Sequence, residues 1–317
     1  MNQRRKFLKA AGQLTFALSL APVGCKYMRV ISADSRITPR KVNRAAVLWY
    51  SQTGYTRRSG RLLARTMEKT GVKTLSDEIR EIDPQELADV DLLIVGSPVF
   101  YYDAPEFVRD WIESLPKLNG TLVASFVTFG GPEGNQHNAA CSILEGLTER
   151  GGIPLGLETF MNMAAYPLSW SEDSVSDNVW RARHLPDEAT YERIRAYARL
   201  LLAAAEQGRG VEYSKKLTMR ELVTFMNPIW WTKLSVRNHS IDEEKCIACG
   251  LCEAKCPVHA IDLSKLSIDT QACVLCFGCL NNCPASAVHM ESGGKTLIGY
   301  QEFMKIKNLS ITEPAEL

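Results

Sequence analysis

The sequence predicts an α/β protein: a doubly wound parallel sheet, followed by a small α+β domain built around cysteines. Three observations predict it. Short apolar runs at residues 45–50, 91–96 and 122–127 each end in a loop rich in Gly, Pro, hydroxyls or aromatics. Eight of the ten cysteines crowd into residues 246–283, in one spacing that occurs twice. The length of 317 residues suits two domains better than one. Net charge is +1, which leaves no nucleic-acid footprint.

The first element is a leader, residues 1–25. Arg4, Arg5, Lys6 and Lys9 stand without an acid, and an apolar run follows from Ala10 to about Gly24. A basic start, a short apolar stretch and small residues after it make a secretory signal. Arg4-Arg5 with Phe7-Leu8-Lys9 resembles a twin-arginine signal, which implies export of an already folded protein. The expected location is the periplasm or the outer face of the cytoplasmic membrane; the alternative is a cytoplasmic protein with a basic tail. The apolar run is too short to span a bilayer comfortably. Cys25 follows Ala21-Pro22-Val23-Gly24, so it is either a lipidation point giving membrane attachment or an incidental thiol.

Residues 45–50 read as a buried strand. Ser51-Gln52-Thr53-Gly54-Tyr55-Thr56 follows, and then a helical pattern through Leu62, Leu63 and Met67. A strand, a hydroxyl-rich turn with Gly and a helix start make an anion site. No lysine fills the turn, which excludes a Walker-type nucleotide loop. The second strand, 91–96, runs into Ser97-Pro98-Val99-Phe100-Tyr101-Tyr102, and Pro105 opens a helix over 106–115. The third strand, 122–127, ends in Thr128-Phe129-Gly130-Gly131. Ligands of open α/β sheets sit at such carboxyl ends. No G-x-G-x-x-G occurs, so nothing argues for a nicotinamide site.

Cys141 falls in a helical stretch and reads as a buried small hydrophobe. Residues 167–186 are polar and aperiodic and read as an insertion, a surface excursion in preference to a lid. A helix over 189–205 ends at Gly208-Arg209-Gly210. Residues 207–239 then read as a linker of about thirty residues. Its Phe225, Trp230 and Trp231 are expected to form domain-packing surface.

The cysteine domain spans 240–292, and residues 293–317 are a tail. Cys246, Cys249, Cys252 and Cys256-Pro257 form one run; Cys273, Cys276, Cys279 and Cys283-Pro284 form the other. The spacing C-x2-C-x2-C-x3-C-P is that of two-cluster [4Fe–4S] proteins, in which the fourth cysteine of each run ligates the other cluster. That puts Cys246, Cys249, Cys252 and Cys283 on one cluster, and Cys273, Cys276, Cys279 and Cys256 on the second. Zinc sites use separated CxxC pairs, and a disulfide framework has no need of one spacing twice.

From about Ser240 to Glu291 the chain resembles bacterial dicluster ferredoxins. The Ser51–Thr56 turn resembles the phosphate loop of flavodoxins, and the loops at 96–101 and 128–131 resemble those flanking the FMN ring. Together these resemble the flavodoxin–ferredoxin fusion family, with the flavodoxin-like part at 44–206. The resemblance implies FMN and two [4Fe–4S] clusters as cofactors. Ser51, Gln52, Thr53, Gly54 and Thr56, with Tyr55 in the same turn, would hold the phosphate. Phe100, Tyr101 and Phe129 would flank the ring, within the stretches Ser97, Pro98, Val99 and Thr128, Gly130, Gly131. Three functions fit: electron transfer with a redox partner protein or a small donor or acceptor, a flavin-dependent reductase of a small substrate such as a quinone, or a redox sensor without turnover. Because the flavin loops lie far from Cys276 in sequence, FMN binding is expected to be indifferent to loss of a cluster ligand.

Overall fold

A computed structural model describes residues 34–131, 135–216 and 228–317. Arg4, Arg5, Cys25 and Phe225, with the expectations that rest on them, lie outside the described residues. Among the described residues no helix is long and apolar enough to cross a membrane.

Strand β1 (Asp34–Arg36) precedes a regular alternation: β2 (Arg44–Trp49), α1 (Tyr55–Glu68), β3 (Lys73–Glu78), β4 (Leu92–Pro98), α2 (Glu106–Ser114), β5 (Leu122–Phe129), α3 (Gln136–Glu149) and β6 (Ile153–Met161). Five of these strands form one parallel sheet in the order β3-β2-β4-β5-β6. Counted within the sheet that is 2-1-3-4-5, the flavodoxin-type order, with its switch point between β2 and β4. β5 is buried along its whole length and β4 along all but its last residue, which explains why they read as unbroken apolar runs. Alternate residues serve opposite cores. Val47 and Ile94 pack with Leu62, Leu63, Ile194 and Leu201, whereas Leu48 and Val95 pack with Val108, Ile112, Ile143 and Leu144. Each such fully buried side chain contributes about 1.5–3 kcal/mol. Cys141 on α3 is fully buried, and burial pushes its thiol up to about 12.

Beyond β6 come α4 (Asp177–Arg181), α5 (Glu188–Glu206) and β7 (Arg209–Val211), which pairs with β1. Asp187 caps α5 by accepting the Thr190 N–H at 2.9 Å. The cysteine domain follows α6 (Pro228–Ser235) and consists of β8 (Val236–Ile241), α7 (Leu251–Lys255), β9 (Ile261–Asp262), β10 (Ser267–Ile268), α8 (Gly278–Asn282), β11 (Val288–Ser292) and β12 (Lys295–Thr296). Its internal repeat has a structural cause. Asp242 and Asp269 stand at equivalent turns: each accepts two backbone N–H groups through Oδ1 and, through its carbonyl, the N–H of the first cysteine of its run at 2.9 Å. A last helix, α9 (Tyr300–Ile306), and the C-terminal residues return to the sheet domain.

Three expectations change here. Residues 167–186 run over the surface at 172–174 and 176–178 but are more than a surface excursion: Trp170 and Val179 are buried with Tyr55, Tyr300 and Phe303, and Trp170 stacks on Phe303 at 4.4 Å. The anchors are too few and too unevenly spaced to give a period. Trp230 and Trp231 do not form a buried packing surface; they meet edge to face at 4.9 Å on α6 and are about half exposed. Finally, the two halves are not held merely by a tether, because the described residues fall in one compact unit. Tyr55 and Tyr300 share a hydroxyl hydrogen bond of 2.8 Å, Trp170 Nε1 donates to Ile298 O at 2.9 Å, and Arg195 grips Glu316 through two bonds of 3.0 Å.

Candidate cofactor sites

At the carboxyl ends of β2, β4, β5 and β6 lies a cleft of about 410 Å³. It is lined by Ser51, Gln52, Thr53, Tyr55 and Thr56, by Pro98, Val99, Phe100 and Tyr101, and by Thr128, Phe129, Gly130 and Gly131. The three loops singled out in the sequence therefore converge on one cavity. Gly54 and Ser97 stand behind the wall. Gly54 turns the chain at φ +95° to start α1, and its N–H donates to Ser51 Oγ at 3.2 Å; a side chain would strain that turn. Ser97 is fully buried and donates to the Pro98 carbonyl.

Local geometry fixes each loop. Thr56 and Thr128 join their hydroxyls at 2.8 Å, tying the first loop to the third. Phe100 pairs through its backbone with Asp103 and packs edge-on against Tyr50. Tyr101 and Tyr102 adopt φ of +48° and +73°, a left-handed turn that side chains rarely take. It carries the Tyr101 ring to the cysteine domain, where its hydroxyl donates to Leu275 O at 3.0 Å. Burial raises the Tyr101 pKa, so this phenol stays a donor. At Gly130 a Cβ would collide with the Ala164 backbone, so only glycine lets β5 leave the sheet there.

Sequence reading missed most of the rest of the wall. Asn162, Ala164, Ala165 and Tyr166 come from the end of β6, Ser176, Asn178 and Val179 from the 167–186 segment, Thr232 from α6, and Leu275, Cys276 and Phe277 from the second cysteine run. The β6 group had a usable signal, since a further parallel strand must end at the same edge. The others had none, because they arrive through long-range docking.

The cysteines gather in two further cavities. One is lined by Cys246, Cys249, Cys252 and Cys283, the other by Cys256, Cys273, Cys276 and Cys279. Thus Cys283 sits with the first run and Cys256 with the second. Backbone N–H groups of Ala260, Leu275, Gly278 and Ala287 point at the sulfurs of Cys256, Cys273, Cys276 and Cys283 at 3.2–3.4 Å. Burial pushes the Cys276 thiol up to about 12 and Cys279 well above its ordinary value. Thiols in so dry a place become thiolates only when a metal centre takes up the charge.

A 4Fe–4S binding domain family matches residues 239–262, which contain the first cysteine run. No curated protein matches the chain. Among solved structures, a flavodoxin from the domain Archaea aligns with 52% of this chain and 97% of its own, at 19% identity and a TM-score of 0.38. Oxidised flavodoxin 2 from Bacillus cereus aligns with 50% and 98%, at 19% identity and 0.39. The rubredoxin oxygen:oxidoreductase of Desulfovibrio gigas aligns with 54% and 37%, at 18% identity and 0.38. With the sheet order already established, the architecture is set. This chain joins a flavodoxin-type fold to a 4Fe–4S binding domain.

In this joined fold the residues present suit both cofactor types. Four thiols surround each cysteine cavity, with amide dipoles directed at the sulfurs. In the flavodoxin-type cleft, Gln52 Nε2 and Asn162 Oδ1 are buried without a hydrogen-bond partner. A buried orphan costs about 1–3 kcal/mol, and a flavin in the cleft would relieve both. The two sites also share walls: Cys276 and Phe277 line the cleft and the second cysteine cavity alike.

Proposed function

We propose that the protein is an exported electron carrier holding one FMN and two [4Fe–4S] clusters, and that it serves an external redox partner, a protein or a small donor or acceptor. The observation that carries the reading is the shared wall, in which Cys276 and Phe277 belong to the flavin cleft and to a cysteine cavity. When bound, the flavin takes two electrons together and releases them singly, while the clusters move one at a time.

The chain's own part is placement. The Ser51–Thr56 turn and the start of α1 receive the phosphate, Phe100, Tyr101 and Phe129 border the ring, and each cysteine quartet binds one cluster. Buried Leu275 and Phe277 keep water out of the shared wall, at 2% and 3% exposure. The leader supports export, because a twin-arginine signal suits a protein that must load its cofactors before crossing.

The test is stopped-flow reduction of the full chain by a donor that needs the clusters, comparing the native protein with Cys249→Ala. Cys249 lines the cysteine cavity that shares no lining residue with the cleft. The expected result is slower flavin reduction in the variant with FMN still bound. Equal rates would show that the cofactors are independent passengers.

A further inference from the structure

Gln52, in the loop after β2, is gripped from the cysteine domain by side-chain amides. Asn281 and Asn282 lie on α8, between Cys279 and Cys283. Asn282 Nδ2 donates to the Gln52 carbonyl at 3.0 Å, and Asn281 Nδ2 donates to Gln52 Oε1 at 3.2 Å and to Ala165 O at 3.0 Å. Asn281 is fully buried and Gln52 is 6% exposed.

The polarity of this chain of amides is fixed from one end. The Tyr300 backbone N–H donates to Asn281 Oδ1 at 2.9 Å. A backbone N–H can only donate, so the oxygen of Asn281 must face it and the amide nitrogen must face Gln52. Gln52 must then answer with its oxygen. Its Nε2 is left in the wall of the cleft, buried and without a partner. A glutamine free to rotate would offer a ligand either an acceptor or a donor; this one offers a donor only.

We propose that Asn281 is a positioning residue for flavin phosphate: through Gln52 it presents an N–H donor to an anionic oxygen, so that the cleft selects FMN over riboflavin. The inference rests on the reading of the cleft as a flavin site. It makes a residue of the iron–sulfur domain responsible for specificity in the flavin domain, which neither domain's motif contains.

The test is a double-mutant cycle on the full, iron-loaded chain, with FMN and riboflavin affinities read by flavin fluorescence and iron content as the control. Asn281→Leu should weaken FMN binding roughly tenfold or more, the worth of a hydrogen bond to a charged group, and riboflavin binding by no more than about twofold. In a Gln52→Leu background, Asn281→Leu should add almost nothing further for FMN. Gln52→Glu, which leaves α8 untouched, should also abolish the preference for FMN over riboflavin. Equal losses for both flavins, or a full second loss in the Gln52→Leu background, would reduce Asn281 to a structural prop and overturn the proposal. Failure of the native chain to bind either flavin would instead overturn the reading of the cleft.

Discussion

The Tyr101 hydroxyl donates to the Leu275 carbonyl at 3.0 Å, joining the loop after β4 to the backbone between Cys273 and Cys276. Both residues sit in left-handed conformations, φ +48° and +49°, so each end of the bond is held by a tight turn. Tyr101→Phe removes the donor and strands a buried carbonyl. The expected cost is about 1–3 kcal/mol, read as a lower midpoint in chemical unfolding, together with slower exchange between flavin and iron. An unchanged midpoint would show that the loop docks without this bond.

Cys283 belongs by sequence to the second run and by position to the first cavity. Cys283→Ser should therefore damage the centre held by Cys246, Cys249 and Cys252 and spare the one beside the cleft. Iron content should fall by up to half while the spectrum of the centre near Cys276 survives. Loss of the second centre instead would mean that the quartets form within runs.

Removing iron should loosen the flavin. Helix α8 carries Cys279, which lines the same cavity as Cys276, and bears the two asparagines that hold Gln52, and Cys276 itself lines the cleft. With Cys276 in the cleft wall, coupling between flavin and cluster binding is the expected outcome in place of indifference. Chelation of iron from the full chain should raise free-flavin fluorescence, and iron reconstitution should lower it again. A flavin that stays fully bound after iron removal would contradict this.

Two ion pairs tie residues 313–316 to the sheet domain. Arg58 Nε donates to Glu313 at 2.7 Å, and Arg195 holds Glu316 through two bonds. The Arg58 bond lowers the Glu313 pKa, and the Arg195 bonds hold Glu316 at about 2. A carboxylate depressed on folding stabilises fully above its unfolded pKa of about 4.3 and ceases to do so as pH falls through its folded pKa. Amides near residues 309–317 should lose exchange protection between about pH 4 and pH 2. Glu316→Gln should be less stable than the native chain at pH 7 and equal to it below pH 2. A constant difference at every pH would remove the charge from the explanation.

Export can be tested in the leader alone. Arg4→Lys with Arg5→Lys keeps the charge and removes the planar guanidinium pair. Precursor should accumulate inside the cell, visible as an uncleaved band in fractionated extracts. Normal export of the double variant would rule out the twin-arginine route.

By itself the sequence determined what depends on short-range pattern. The apolar runs became β2, β4 and β5 within a residue or two, the glycine turn at Gly54 started α1, and the doubled spacing placed eight thiols in two compact runs. Side-chain period, backbone freedom at glycine and ligand spacing are all written within a dozen residues. Tertiary structure alone decided that the two domains share a wall. Gln52 and Asn281 are 229 residues apart, Arg58 and Glu313 are 255 apart, and Trp170 meets Ile298 across 128. Such contacts involve single polar or aromatic residues that repeat with no period, so nothing local marks them. They arise only when two finished surfaces meet and each buried donor must find an acceptor.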